Sequence, residues 1–171
     1  MGVEPERKFL VKDDSWKQAV TDSTVMSQAY LSKEEGRTVR VRLSGDEAFI
    51  TIKGTPPEGT IDTPEYEYQI PKTDAEDLLK MCLPGEISKT RHYVEYAGKT
   101  WEIDVFNGSN KGLVIAEIEL AHGQEAFEKP AWLGDEVTHD KKYKNAALSE
   151  NPYSEWKKNP PVKINPPKPR L

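Results

Sequence analysis

The chain has 171 residues, of which 36% are hydrophobic and 31% charged, with a formal net charge of −5. That is one domain of moderate size, long enough to bury a core and enclose a cavity. The acidic balance argues against nucleic acid or an anionic membrane as the partner, since those show as a basic excess, but it leaves a local basic pocket open. Cys82 is the single cysteine, so an internal disulfide and a Cys-rich zinc site are both excluded, and its place in an apolar pattern reads as a core thiol. No apolar run approaches the ~20 residues that span a bilayer, and the amino terminus does not read as a signal peptide; the expected location is the cytoplasm, with no membrane partner.

In chain order, the first predicted strand is Val3 to Val11. Alternation puts Glu4, Glu6 and Lys8 on one face and Phe9 and Val11 on the other. Charged groups are costly to bury unpaired, so that row fits either a wet charged cavity or an exposed strand face. Asp13 and Asp14 offer caps for a short helix over Ser15 to Val20, followed by a strand over 23–33. Thr38 to Leu43 and Ala48 to Lys53 flank a Ser44-Gly45-Asp46-Glu47 turn and form a hairpin, with Arg40 and Arg42 on one face and Val39, Val41 and Leu43 on the other. The stretch 54–59 is a loop, and Glu65 to Ile70 alternates again with Glu65 and Glu67 on one side.

Residues 73–82 read as an amphipathic helix ended by Pro84-Gly85. Three longer strands follow, Ile87 to Tyr96, Lys99 to Phe106 and Leu113 to Ala121, the first two joined at Ala97-Gly98. Their charged parity carries Lys89 and Arg91, then Glu102 and Asp104, then Glu117 and Glu119. The Asn107-Gly108-Ser109 sequon reads as a turn. This makes eight strands with two helices between them. Helical character is expected over Gln124 to Phe127 and again over Lys141 to Leu148. The domain reading is a body over 1–150 and a Pro-rich tail over 151–171, partly docked through Tyr153 and Trp156 or disordered, since six of the 13 prolines fall there.

One rule recurs in most strands: charges on one parity, apolar groups on the other. The fold class that follows is mainly β, an eight-stranded antiparallel closed barrel with a few flanking helices, its lumen hydrated and dense in both signs. The competing reading is a sandwich with surface ladders of cross-strand ion pairs. Six bases, Lys8, Arg40, Arg42, Lys53, Lys89 and Arg91, suit a ligand with several negative charges. Clustered carboxylates suit a hard divalent cation, Mg²⁺ or Mn²⁺. Together they describe a metal-dependent site for a polyphosphate. His92, His122 and His139 have no zinc spacing, and the chain lacks both a phosphate-loop motif and a nucleophile elbow.

The opening Glu4-Pro5-Glu6-Arg7-Lys8 resembles the Glu-x-Glu-x-Lys signature of the CYTH superfamily, the triphosphate tunnel metalloenzymes. The resemblance continues through Gln28 to Leu31, Arg40 to Arg42, Thr51 to Lys53, Glu65 to Glu67, Lys89 to Arg91, Glu102 to Phe106 and Ala116 to Leu120. Glu136-Val137-Thr138, Asp140 and Tyr143 to Leu148 look like the ending of short bacterial members. It implies a tunnel that binds a triphosphate with divalent metal and hydrolyses inorganic triphosphate to diphosphate and phosphate. By that resemblance Glu4, Glu6, Asp104, Glu117 and Glu119 are metal-ligand candidates. Lys8, Tyr30, Arg40, Arg42, Lys53, Lys89 and Arg91 would bind substrate, with Lys8, Lys53 and Lys89 as the catalytic candidates. Nucleotide or thiamine triphosphate hydrolysis, adenylyl cyclisation and non-catalytic polyphosphate binding are the alternatives. Outward apolar sheet faces make a homodimer reasonable.

Overall fold

A computed structural model describes residues 2–156, with side chains from Pro5 onward. The chain runs β1 Gly2–Val11, a 3₁₀ turn Ser15–Ala19, β2 Val20–Glu34, β3 Arg37–Ser44, β4 Glu47–Lys53, β5 Asp62–Ile70, α1 Lys72–Lys80, β6 Ile87–Tyr96, β7 Lys99–Phe106, β8 Val114–Glu119, β9 Leu133–Glu136, α2 Asn145–Glu150 and α3 Tyr153–Trp156. The strands form one antiparallel sheet in the order β5-β4-β3-β2-β6-β7-β8-β1-β9, and a β5–β1 pairing closes it into a barrel. Closure places one parity of β1 to β8, charged in most of them, around one lumen. No helix among the described residues is long and apolar enough to cross a membrane.

β9 is an element the alternation rule did not foresee. β1 uses one edge twice: residues 2–5 pair with β5, while Phe9 and Val11 pair with Glu136 and Leu133 of β9. Four residues carry little periodic signal, and their pairing is set by an edge that β5 leaves open. A Cβ at Gly134 would meet Leu10 O at 3.0 Å, so the approach of the two backbones leaves tight room for any other residue.

The outward parity of β6, β7, β8 and β1 supplies the largest core. Phe9, Val94, Trp101, Ile103, Ala116 and Ile118 are covered by Trp16, Trp132 and Leu133. Trp101 meets Phe9, Phe127 and Trp132 edge-on at centroid distances of 5.7, 5.8 and 5.6 Å. The expected helix over 124–127 is absent. Glu125 instead spends its side chain on the backbone N–H of Ala121 and on Lys99, and Phe127 goes into the core. So short a segment has too few internal hydrogen bonds to resist that capture. On the opposite wall α1 seats Ala75, Leu78 and Leu79 against Val41 and Ala48, with half-buried Cys82 beside them.

A third cluster closes one end of the lumen. Ile87, Phe106 and Ile115 share the lumen parity of their strands but are apolar, and Leu148, Tyr143, Tyr153 and Trp156 pack on them. The expected helix over 141–148 is divided: Lys141–Tyr143 is a 3₁₀ turn capped by Asp140, Lys144 is extended at φ −73° and ψ 144°, and α2 begins at Asn145. The tail residues beyond Trp156 lie outside the described part of the chain.

Gly85 has φ +105°, and a Cβ there would lie 2.0 Å from Ser149 O of α2. Gly85→Ala is therefore expected to cost at least about 1–3 kcal/mol in thermal or urea unfolding, from the left-handed backbone and the displaced helix. A variant as stable as the wild type would refute that tight seat.

Candidate active site

Register decides which lumen groups meet. Arg91 lies opposite Asp104 across β6 and β7 and forms a bidentate pair, Nε to Oδ1 at 2.8 Å and Nη2 to Oδ2 at 2.9 Å. Lys89 Nζ donates to the same Oδ2 at 2.7 Å, with Lys89 0% and Asp104 1% exposed. Both oxygens of Asp104 are thus taken by cations. Its carboxyl is held far below the usual range: burial would raise it, but Arg91 and Lys89 outweigh burial through charge and hydrogen bonds. Burial depresses Arg91 too, yet Asp104, Glu102 and Glu117 lift it well above its ordinary value. Lys89 moves the other way, pushed down to about 7 because burial, with Arg91 and Arg42 nearby, exceeds the pull of Asp104.

The β2–β3–β4 wall carries the remaining arginines. Gln28 faces Arg42 and Tyr30 faces Arg40 in register. Arg42 Nε donates to Gln28 Oε1 at 2.9 Å, and Arg40 Nη2 donates to Thr51 Oγ1 at 3.2 Å. Thr51 Oγ1 in turn donates to Glu67 Oε2 at 2.9 Å. Buried Arg40 Nε and Gln28 Nε2 have no hydrogen-bond acceptor among the described residues. Arg42 is pushed down to about 9, first by burial and then by Arg40 and Arg91. This wall holds more positive charge than its carboxylates neutralise.

The β1–β8–β7 wall shows the converse. Glu6 pairs in register with Glu119, Lys8 with Glu117, and Glu117 with Glu102. Lys8 Nζ stands 3.8 Å from Glu117, which is also 3.8 Å from Arg91, and Arg91 reaches Glu102 at 3.1 Å. Glu102 is pushed up to about 7, chiefly by burial; Arg91 opposes this while Glu117, Asp104 and Glu6 add repulsion. Glu6 ends lowered, because Lys53, Lys8 and Arg91 together overcome its burial. Lys53 sits 3.3 Å from Glu65; burial would lower it, but Glu6 and Glu65 help to raise it.

The lumen thus has a β2–β3–β4 wall where burial and like charge lower Arg42, and a β1–β8–β7 wall where burial and like charge raise Glu102, while Glu6 and Lys53 stabilise each other's charged forms. A polyanion relieves the first and a hard cation the second. Among the described residues no three carboxylate or imidazole groups converge into a ready cage for an ion. Glu4 lies two residues before Glu6 on β1, and its side chain is outside the described part. His92 belongs to the outer surface, where Nδ1 lies 2.6 Å from Ser23 Oγ and the ring rests by Trp16. Gln28 and Thr51 were given no site role from sequence; their signals are parity with Tyr30 and Lys53 and their place in the resembling segments 28–31 and 51–53.

Comparison with known proteins matches this architecture. The family described as the CYTH domain matches residues 3–151. An inorganic triphosphatase of Acetivibrio thermocellus is 42% identical over 158 residues, covering 92% of this chain and 99% of that protein. An inorganic triphosphatase of Nitrosomonas europaea is 36% identical over 150 residues, covering 85% and 96%. Among solved structures, the inorganic triphosphatase NE1496 superposes with a TM-score of 0.59 at 34% identity, covering 84% of this chain and 95% of that one. A match over nearly the whole length, on a closed barrel with this lumen, shows that the chain is a member of the CYTH family.

Proposed function

We propose that this protein hydrolyses inorganic triphosphate to diphosphate and phosphate inside the barrel. The observation that carries the reading is the set of lumen cations: Arg40, Arg42, Lys89 and Arg91 are all buried on one lumen, with Arg42 displaced downward first by burial and then by the like charge of Arg40 and Arg91, which negative charge would offset. A chain of phosphates supplies that charge along its length, and guanidinium forks match its oxygens. The two inorganic triphosphatases that align over nearly their full lengths support the choice of substrate.

Lys8, Arg40, Arg42, Lys53 and Arg91 hold the phosphates and fix the terminal group for in-line attack by water. Tyr30, buried beside Arg40, sets how the chain lies. Lys89 Nζ, fixed by Asp104, stabilises charge on the reacting phosphoryl group from the deep end of the lumen. Lys8 and Lys53 do the same nearer to Glu117 and Glu65. Asp104 is the proposed positioning residue for Lys89 and Arg91, because both of its oxygens already accept from these cations. Glu4, Glu6, Glu117 and Glu119, with Glu102 added, are the proposed holders of Mg²⁺ or Mn²⁺. When bound, such an ion polarises phosphate oxygens and offsets their charge.

The test is phosphate release from inorganic triphosphate, ATP and thiamine triphosphate, each with Mg²⁺, Mn²⁺ or EDTA. The expected result is metal-dependent release from inorganic triphosphate at least about tenfold faster than from the other two, equivalent to one well-placed contact. Faster turnover of ATP or thiamine triphosphate would overturn the substrate assignment. Tight triphosphate binding without turnover would make the protein a binding module.

A further inference from the structure

Resting on the reading of the lumen as a triphosphate site, we infer that Gln28 is itself a substrate-binding residue, its side-chain amide donating to a phosphate oxygen while its carbonyl fixes Arg42. Gln28 is 0% exposed, in the middle of β2 and on the lumen parity. Its Oε1 is committed, accepting from Arg42 Nε at 2.9 Å. That contact also orients the amide: with the oxygen turned to Arg42, the NH₂ is the group left over. Nε2 is buried and meets no acceptor among the described residues.

A buried donor without an acceptor is costly, so its persistence at this position needs a reason. The neighbouring Arg40 Nε is in the same condition. Gln28 is opposite Arg42 and Arg40 is opposite Tyr30, so the two donors come from diagonal positions of one strand pair. Both belong to the wall already short of negative charge. One phosphoryl group placed against β2 and β3 would accept from both.

The neutral amide adds a property the cations lack. It donates direction without adding repulsion to a wall where Arg42 is already lowered by burial and, after it, by Arg40 and Arg91. A lysine or arginine at position 28 would increase that repulsion. A leucine or methionine would remove both the donor and the anchor of Arg42.

The experiment compares Gln28→Met and Gln28→Glu with the wild type, reading tripolyphosphate affinity by calorimetry in EDTA and KM and kcat with metal. Gln28→Glu keeps an oxygen for Arg42 but loses the N–H. The expected result is that both variants fold and bind tripolyphosphate about 10- to 100-fold more weakly, with KM raised more than kcat is lowered. Loss in Gln28→Met alone, with Gln28→Glu near wild type, would overturn the donor role and leave only the anchoring of Arg42. A cycle with Arg42→Met separates these further: independent donation predicts an added loss of about fivefold or more in the double variant, and anchoring alone predicts none. Wild-type protein that fails to bind tripolyphosphate would overturn the reading of the lumen together with this inference. Wild-type binding that neither variant changes would overturn only the role of Gln28.

Discussion

Replacing Asp104 by alanine is expected to lower stability by about 3–5 kcal/mol, because it takes from buried Lys89 its carboxylate and from Arg91 its bidentate partner, leaving Arg91 with Glu102 and Glu117. Lys89 and Arg91 make three hydrogen bonds to Asp104, and all three residues are buried. Neither cation can turn to water without opening the wall between β6 and β7. Urea unfolding should show a lower midpoint with little change in slope, since the surface exposed on unfolding is the same. Tripolyphosphate supplies negative charge to the same lumen, so at about 100 times its Kd it should return about 2.7 kcal/mol to any variant that still binds it. The acid limb gives a second reading. Asp104 has a folded-state pKa well below its ordinary 3.8, so its contribution is present above that value and is lost as pH falls below it, when the unfolded chain takes up a proton first. The variant should therefore show the flatter stability profile below about pH 4. An Asp104→Ala protein as stable as the wild type but weakened in metal affinity would place this carboxylate among the metal ligands instead.

Replacing Glu6 by glutamine is expected to remove metal-dependent phosphate release by at least about 100-fold, since even outer partners of a metal site cost 10- to 100-fold when lost. Glu6 is ionised by Lys53, Lys8 and Arg91 and pairs in register with Glu119. The change removes a charge without removing volume, so the fold should persist. It also leaves three cations less neutralised, so tripolyphosphate should bind Glu6→Gln in EDTA as tightly as it binds the wild type, or more tightly. Glu4→Gln should behave alike. Turnover retained in both variants would sink the metal assignment, and binding lost together with turnover would place Glu6 in the support of the clamp.

Most of the barrel was legible residue by residue because strand alternation is a local property. Glu6 and Lys8 against Phe9, Arg40 and Arg42 against Val41, and Glu102 and Asp104 against Trp101 and Ile103 each declare two faces without reference to any other strand. The 124–127 and 141–150 segments were less legible, since their conformations are settled by what they touch. Phe127 is drawn into the Trp101 cluster, and an extended Lys144 carries the chain over to the apolar end of the lumen. β9 was invisible for the same reason: it exists because β1 has an edge to pair.

The sequence by itself determined the strands, their two-faced character and the set of charges that share a parity, since each depends only on the order of side chains along an extended backbone. Tertiary structure decided how those charges are spent. Closure through β1 and β5 and the register of β6 on β7 bring Lys89 and Arg91 onto Asp104, which supports our proposal of Asp104 as the anchor of the clamp. The register of β2 on β3 sets Gln28 against Arg42 and leaves its amide nitrogen buried with no acceptor among the described residues. A pairing across strands is a relation between distant residues, and only the closed barrel fixes which ones meet.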